Sequence, residues 1–430
     1  MIPLIISILC SLLIIFSILF LPKVKIFNKN IDTYWLIALL FAVVLIVLKQ
    51  INLSEIFDIL TSKDSINPIK IILLFLSMTL LSIYLDKVGL FRYLACVTVK
   101  KFNNSQYVLF IALYFLISLL TVFTSNDVII LTFTPFICYF CKNAKINPLP
   151  YLIGEFFAAN TLSISLIIGN PTNIYIASIM NITFIEYLSF MFIIGITLCL
   201  ALFFILLFVF RNKLKEPMNI SDTDVKIESK AMLIVGVIHL SFATIFMAIA
   251  NYINIELYLI SLSSALSLSI ISTIYHLIRK EKDVLLKETY KNLPYAFIPF
   301  LTSMVIIIGS LRNSGIMNDI ALILARNDSV LLYSTSSFLL GNVMNNIPMS
   351  IFYSELLRIN STIITTKHIY ATIVSSNLCA LFTPLGSLAG MMFLGLLKNQ
   401  NINFKFKNFM KYCYVSIILL FIAYFIIMIK

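Results

Sequence analysis

Thr124-Ser125-Asn126-Asp127 lies inside an apolar tract, 106–141, where side chains compatible with hydrocarbon are otherwise the rule. An aspartate at the centre of a membrane helix costs about 2.5–3.5 kcal/mol on insertion scales, so a chain that keeps one there has a use for it, to hold a cation or to carry a proton. Three further polar clusters interrupt apolar sequence: Asn342 with Asn345, Asn346 and Pro348 inside 329–357, Gly169-Asn170-Pro171-Thr172-Asn173 inside 150–180, and Thr383-Pro384-Leu385-Gly386-Ser387 inside 366–397. Proline removes a backbone donor and glycine permits conformations that other residues avoid, so the last two segments should unwind. Unwinding at membrane depth frees carbonyls that, with asparagine amide oxygens, coordinate a cation. Half-helix N-termini, carrying roughly +0.5 charge, attract an anion or the oxygens of a small polar solute. The hydroxyls of Ser125, Thr172, Thr383 and Ser387 add donors or acceptors. Asn160 and Asn377 join the candidate set because each precedes a glycine of an interruption, Gly169 or Gly386, by the same nine residues. Glu155, five residues before Asn160, is a second proton-coupling candidate beside Asp127. Asp86, Asp319, His239, His276 and His368 fall near span ends or outside the pattern and are taken as structural or interfacial.

The elements that must position these residues follow from composition. The 430-residue chain is 60% hydrophobic and 12% charged, with mean hydropathy +1.02, against about 25% charged residues in ordinary soluble domains. That defines an all-α polytopic membrane protein. The net charge of +12 resides in short gaps between apolar tracts, where membrane orientation explains it, and no nucleic-acid role is expected. The run 2–22 has the length of a bilayer span and neither a basic leader nor a small-residue cleavage pattern, so it reads as a first helix. Seven cysteines, mostly within apolar tracts, imply no disulfide framework, and Cys138 and Cys141 lack the partner ligands of a metal site.

Spans are expected at 2–22, 33–49, 68–86, 150–180, 183–210, 231–250, 252–278, 294–312, 366–397 and 408–429. The tracts 106–141 and 329–357 are too long for one crossing and polar in the middle, which suggests re-entrant hairpins whose irregular tips survive only where protein or water satisfies them. With the first helix starting outside, this arrangement puts 23 of the 31 Lys and Arg residues inside. Reading 106–141 as one crossing inverts every later cluster, against the positive-inside rule. The expectation is about ten transmembrane crossings plus two re-entrant hairpins, with both termini outside. Residues 1–210 form a first half (N-terminal helix, hairpin 106–141, broken helix 150–180), 211–230 a cytoplasmic linker, and 231–430 a second half (hairpin 329–357, broken helix 366–397).

The halves match in order. LDKVGLFRYLA (85–95) resembles LRNSGIMNDIA (311–321), Ser125-Asn126 pairs with Asn345-Asn346, and ANTLSISLIIGNPTN pairs with SNLCALFTPLGSLAG. Span 68–86 runs inward and span 294–312 outward, so the duplicates are inverted-topology repeats, the architecture of secondary transporters with sites at the midplane.

T-S-N-D followed by N-N-x-P, and G-N-P-T-N followed by T-P-L-G-S-L-A-G, resemble the ion transporter superfamily of arsenical-pump membrane proteins, citrate-type permeases and divalent-anion:sodium symporters. The resemblance covers the chain from about Ile69 onward. It implies a solute site between the hairpin tips (Ser125-Asn126-Asp127 and Asn345-Asn346) and the unwound loops (Gly169 to Asn173 and Thr383 to Ser387), commonly in a homodimer. FTSNDVIILTFTP, NNIPMS and FTPLGSLAG are most similar to arsenical-pump proteins. The divalent-anion symporters carry Ser-Asn-Thr at both tips, where this chain has Ser-Asn-Asp and Asn-Asn-Ile. Cys379 supplies one thiol within the second interrupted span, of interest because trivalent arsenic binds thiols. The favoured expectation is arsenite or antimonite efflux coupled to protons through Asp127. The alternatives are a sodium- or proton-coupled di- or tricarboxylate permease and the channel subunit of an ATPase-driven pump. The chain has no phosphate-binding loop of its own, so ATP use would need a partner ATPase. No catalytic triad or metal-ligand cluster suggests an enzyme, and the only bound cofactor envisaged is a coupling cation, proton or sodium.

Overall fold

Two successive series of helices, several of which correspond in order, make up the computed structural model, which describes all residues except 22, 27, 28, 62–66, 103, 104, 219–226, 228, 251, 328, 401, 403 and 405. Much of the expected linker 211–230 therefore lies outside the described residues. The first series comprises α1 (Ile2–Phe20), a small antiparallel hairpin of β1 (Lys23–Ile26) and β2 (Lys29–Asp32), α2 (Thr33–Val47), α3 (Leu53–Thr61), α4 (Pro68–Val88), α5 (Leu90–Lys101), α6 (Gln106–Phe123), α7 (Asn126–Asn143), α8 (Leu149–Leu162), α9 (Pro171–Ile179) and α10 (Phe184–Phe210). The second comprises α11 (Lys230–Ile249), α12 (Leu257–Ile278), α13 (Val284–Lys291), α14 (Phe297–Asn313), α15 (Ile316–Asn327), α16 (Val330–Met344), α17 (Asn346–Ile359), α18 (Thr366–Phe382), α19 (Leu388–Asn399), α20 (Phe406–Met410) and α21 (Cys413–Ile429).

The correspondence has local causes. Gly89 and Gly315 each end a span with positive φ, 96° and 78°, which lets the chain turn sharply into the amphipathic helices α5 and α15. Between α14 and α15 the axis bends by 80°. The amphipathic α3 and α13 hold equivalent places before α4 and α14 and were not foreseen from the sequence, nor was the β-hairpin. The Asn313 side chain donates to the Glu55 carboxylate of α3 at 2.6 Å, which holds that exposed carboxyl below its usual range.

Among the described residues, five helices can cross a membrane by length and composition (α4, α6, α10, α11 and α12), or six with the bent pair α14–α15; several others are shorter apolar helices. Burial sorts them. The α4 window is 78% buried inside the protein and the α11 window 22%, so α4 is an interior element and α11 turns most of its surface to lipid. Lipid tails offer no less apolar a surrounding than leucine does, so close packing has to hold such helices together. It does so at small residues: a Cβ on Gly195 would stand 2.0 Å from Ser165 Oγ, and one on Gly154 2.9 Å from the Phe110 ring.

The two series interleave. Helix α4 packs on α11, α12 and α13 of the second half, while α14 packs on α1 and α2 of the first. Likewise α7 packs on α19, and α17 on α9. Each hairpin therefore lies against the broken helix of its own half through both arms and against that of the opposite half through its second arm.

Candidate functional site

Four helices begin at the four polar interruptions, and each begins with a side-chain cap. Ser125 accepts from the Asp127 amide at 3.2 Å, Asn345 from Ile347 at 3.3 Å, Asn170 from Thr172 at 3.2 Å and Ser387 from Gly390 at 3.1 Å. Caps of this kind take up one of the amide donors that open a helix and leave its positive end intact. All four caps are buried. Of the helices that begin here, α7 contacts α19 and α17 contacts α9, each pair joining opposite halves.

The breaks in α8–α9 and α18–α19 follow from their sequences. After Leu162 the chain passes through two short 3-10 turns, Ser163–Ser165 and Ile167–Gly169, before Pro171 restarts the helix at a position where its missing N–H is no loss. After Phe382 a single 3-10 turn, Pro384–Gly386, precedes α19. In both loops the glycine is folded back on the helix end it follows. A Cβ would lie 2.2 Å from the Ser163 carbonyl oxygen at Gly169 and 2.5 Å from the Cys379 carbonyl oxygen at Gly386, so no side chain fits.

The loops are held by a buried amide network. Asn170 Nδ2 donates to Asn377 Oδ1 at 2.8 Å, Asn377 Nδ2 donates to Asn173 Oδ1 at 2.7 Å, and Asn173 Nδ2 donates to the Ser163 and Leu166 carbonyls at 3.0 and 3.1 Å. Thr172 and Ser376 hydroxyls meet at 2.9 Å. Loop 166–170 of the first half is thus fastened to α18 of the second. At the first tip, Asn126 Nδ2 donates to Asn160 Oδ1 at 2.9 Å; at the second, Asn345 Nδ2 donates to the Leu385 carbonyl at 3.1 Å, and Thr383 Oγ1 donates to Asn342 Oδ1 at 2.7 Å.

Ser163 and Ser376 were not singled out from the sequence. Their signal was present, small hydroxyl residues beside Asn160 and Asn377 in otherwise apolar surroundings.

Two polar atoms at the tips are left over. Asn126 Oδ1 and Asn346 Oδ1 are buried and find no hydrogen-bond partner among the described residues. Burial of an unsatisfied acceptor costs about 1–3 kcal/mol, and such an atom calls for a donor, a cation or a water. Asp127 stands in the first turn of α7, half-buried, with no donor on its carboxylate among the described residues. Glu155 is fully buried on α8. Its Oε1 accepts from Thr134 of α7 at 2.8 Å, and its Oε2 has no partner among the described residues.

Cys379 is buried and its thiol donates to the Gly386 carbonyl at 3.4 Å; no cluster of three or more His, Cys, Asp or Glu side chains able to hold a metal occurs among the described residues. Asp86 accepts from Thr132 of α7 at 2.7 Å, His276 approaches Asp283 at 3.4 Å, and His368 completes a capping box with Thr365.

Interleaved apolar helices with buried polar breaks, each capped by a side chain, define a polytopic membrane protein of the solute-transporter class. Residues 12–360 match the profile of CitMHS, the citrate transporter family, and the chain belongs to that family. It is 23% identical over 339 residues to an arsenical pump membrane protein of Escherichia coli, covering 76% of this chain and 78% of that one. It is 24% identical to an arsenical pump membrane protein of Yersinia enterocolitica with the same coverage. An uncharacterised transporter of Mycobacterium tuberculosis is 23% identical over 390 residues, 87% of this chain and 88% of the other. The chain is thus an anion transporter of a family with bacterial relatives.

Proposed function

We propose that this protein is a secondary active transporter of the plasma membrane that expels a small oxyanion-like solute, arsenite or antimonite, in exchange for protons, with the solute held between the two hairpin tips and the two unwound loops. The observation that carries this reading is the conjunction of four capped helix N-termini with two buried, unpartnered amide oxygens, on Asn126 and Asn346. A neutral trivalent arsenic hydroxide offers O–H donors for the amide oxygens and lone pairs for the helix ends. Asp127 is the proton carrier, being an uncompensated carboxylate at the tip, with Glu155 next in line. The two halves, 1–210 and 231–430, run in opposite orientations with both termini outside, hairpins 106–141 and 329–357 re-entrant. The charge distribution and the exchange of α7 onto α19 and α17 onto α9 support this. The resemblance adds a homodimer.

A second reading, import of a di- or tricarboxylate with sodium or protons, draws on the family's description and on the same helix ends, which suit carboxylates. The two amide oxygens then hold the coupling cation. Purified protein in liposomes, tested with arsenite, citrate and succinate under separate proton and sodium gradients, separates the two. Arsenite flux driven by a proton gradient supports the first, and carboxylate flux driven by sodium refutes it. No flux without an added ATPase would point instead to the subunit of a driven pump.

A further inference from the structure

A crevice of about 670 Å³ opens on the face where α4 and α12 begin and α9 and α11 end. Its floor includes Ile167, in the 3-10 turn that precedes Gly169, so it leads from the surface to the first unwound loop. Ser178, Asn181 and Asn254 contribute polar atoms to its wall. Lys70 enters it from the first turn of α4, with its side chain only 20% exposed. A cation there opposes the helix dipole, and a partly exposed ion pair contributes little to folding, so helix stability does not account for Lys70. Its ammonium lies 2.7 Å from Glu256, the N-cap residue of α12, whose side chain is 53% exposed, and 5.8 Å from the centre of the Tyr258 ring. In the second half, α14 begins Phe297-Ile298-Pro299 and carries no charge in the corresponding turn.

We infer that this crevice is the solute vestibule of its face and that Lys70 is its anion-recognising residue. Glu256 is a displaceable internal anion: a carboxylate or oxyanion passing between the crevice and loop 166–170 takes its place on Lys70. Lys70 is the sole basic residue among the described residues that line the crevice, and the Glu256 side chain, 53% exposed, has water beside it into which it can turn. The inference rests on the proposed transport function, but its charge chemistry can be tested without any transported solute.

The test uses Ser178→Cys in full-length protein in liposomes, with Cys413, the one cysteine that is not buried, replaced by serine. Labelling rates are measured with an anionic, membrane-impermeant methanethiosulfonate and with its cationic analogue. Adding Glu256→Gln should raise the anionic-to-cationic rate ratio roughly fivefold, and adding Lys70→Gln should lower it roughly fivefold, as expected when one unit charge about 8 Å away in water acts with opposite sign on the two reagents. Asn254→Cys serves as a second reporter should Ser178→Cys not fold. A reporter that folds and stays unreactive from the aqueous side, or a ratio that neither charge substitution moves, overturns the inference. If labelling behaves as expected while no anion is transported, the proposed function fails and the anion-selective crevice stands.

Discussion

Asn160 and Asn377 occupy matching positions in the two broken helices, yet they bond to different things. Asn160 turns to the tip of its own hairpin and holds Asn126, whereas Asn377 reaches across the molecule and holds Asn170 and Asn173 in the opposite loop. The consequence appears at the second tip. Asn346, the counterpart of Asn126, makes no bond to Asn377 of the kind that Asn126 Nδ2 makes to Asn160, while the amide oxygens of both tips are buried without a partner among the described residues. The tips also differ in their backbones. Ser125 caps α7 with φ −68°, an ordinary extended value, while Asn345 caps α17 with φ 77° and ψ 155°, a region that costs a non-glycine residue of order 1–3 kcal/mol. Beside the hairpins, too, the chemistry differs. In the first half two carboxylates, Asp86 and Glu155, face hydroxyls of α7; in the second, Glu355 of α17 lies 3.9 Å from Arg312 of α14 and 2.8 Å from Arg358.

The largest effects should come where the halves agree. Gly169→Ala and Gly386→Ala force a Cβ into a backbone carbonyl, and each should destabilise the folded protein by about 1–3 kcal/mol or more, read as a lowered unfolding temperature in detergent, while Gly395→Ala, with open space around it, should change little. The next contrast sharpens the difference. Asn377→Ala abandons buried polar groups in two loop residues and should cost about 1–3 kcal/mol more than Asn160→Ala, which strands one; equal losses would mean that the asymmetry is not a property of the folded protein. Asn346→Ala removes an atom without a partner, so its stability should stay within about 0.5 kcal/mol of the parent while solute flux falls, whereas Asn126→Ala should lose both. Among the carboxylates, Asp127→Asn should abolish the pH dependence of flux at little cost in stability. Flux that keeps its pH dependence would transfer the coupling role to Glu155, where Glu155→Gln becomes the deciding variant. Smallest of all, Arg312→Gln should cost under about 1 kcal/mol, because its contact with Glu355 is long and partly exposed.

Much of this was legible in the sequence because its causes are local. Hydropathy located the apolar elements to within a few residues, the glycine, proline and asparagine clusters marked all four helix breaks, and the recurrence of Asn160 to Gly169 in Asn377 to Gly386 marked two loops with a common glycine packing. The amphipathic helices α3 and α13 were missed since each is short and its polar face resembles a loop. The hydroxyls of Ser163 and Ser376 were missed since serine is also an ordinary small residue at helix contacts.

The sequence by itself determined a membrane protein, the places where its helices must stop and the residue types available there, since hydrophobicity, backbone freedom and charge are properties of a residue and its near neighbours. Only the tertiary structure decided which asparagine satisfies which, that α7 and α17 pack on helices of the opposite half, and that Lys70 meets Glu256 in one crevice. Those choices join residues some two hundred positions apart, and they depend on how closely packed helices bring amide groups within 3 Å, a distance no local pattern encodes.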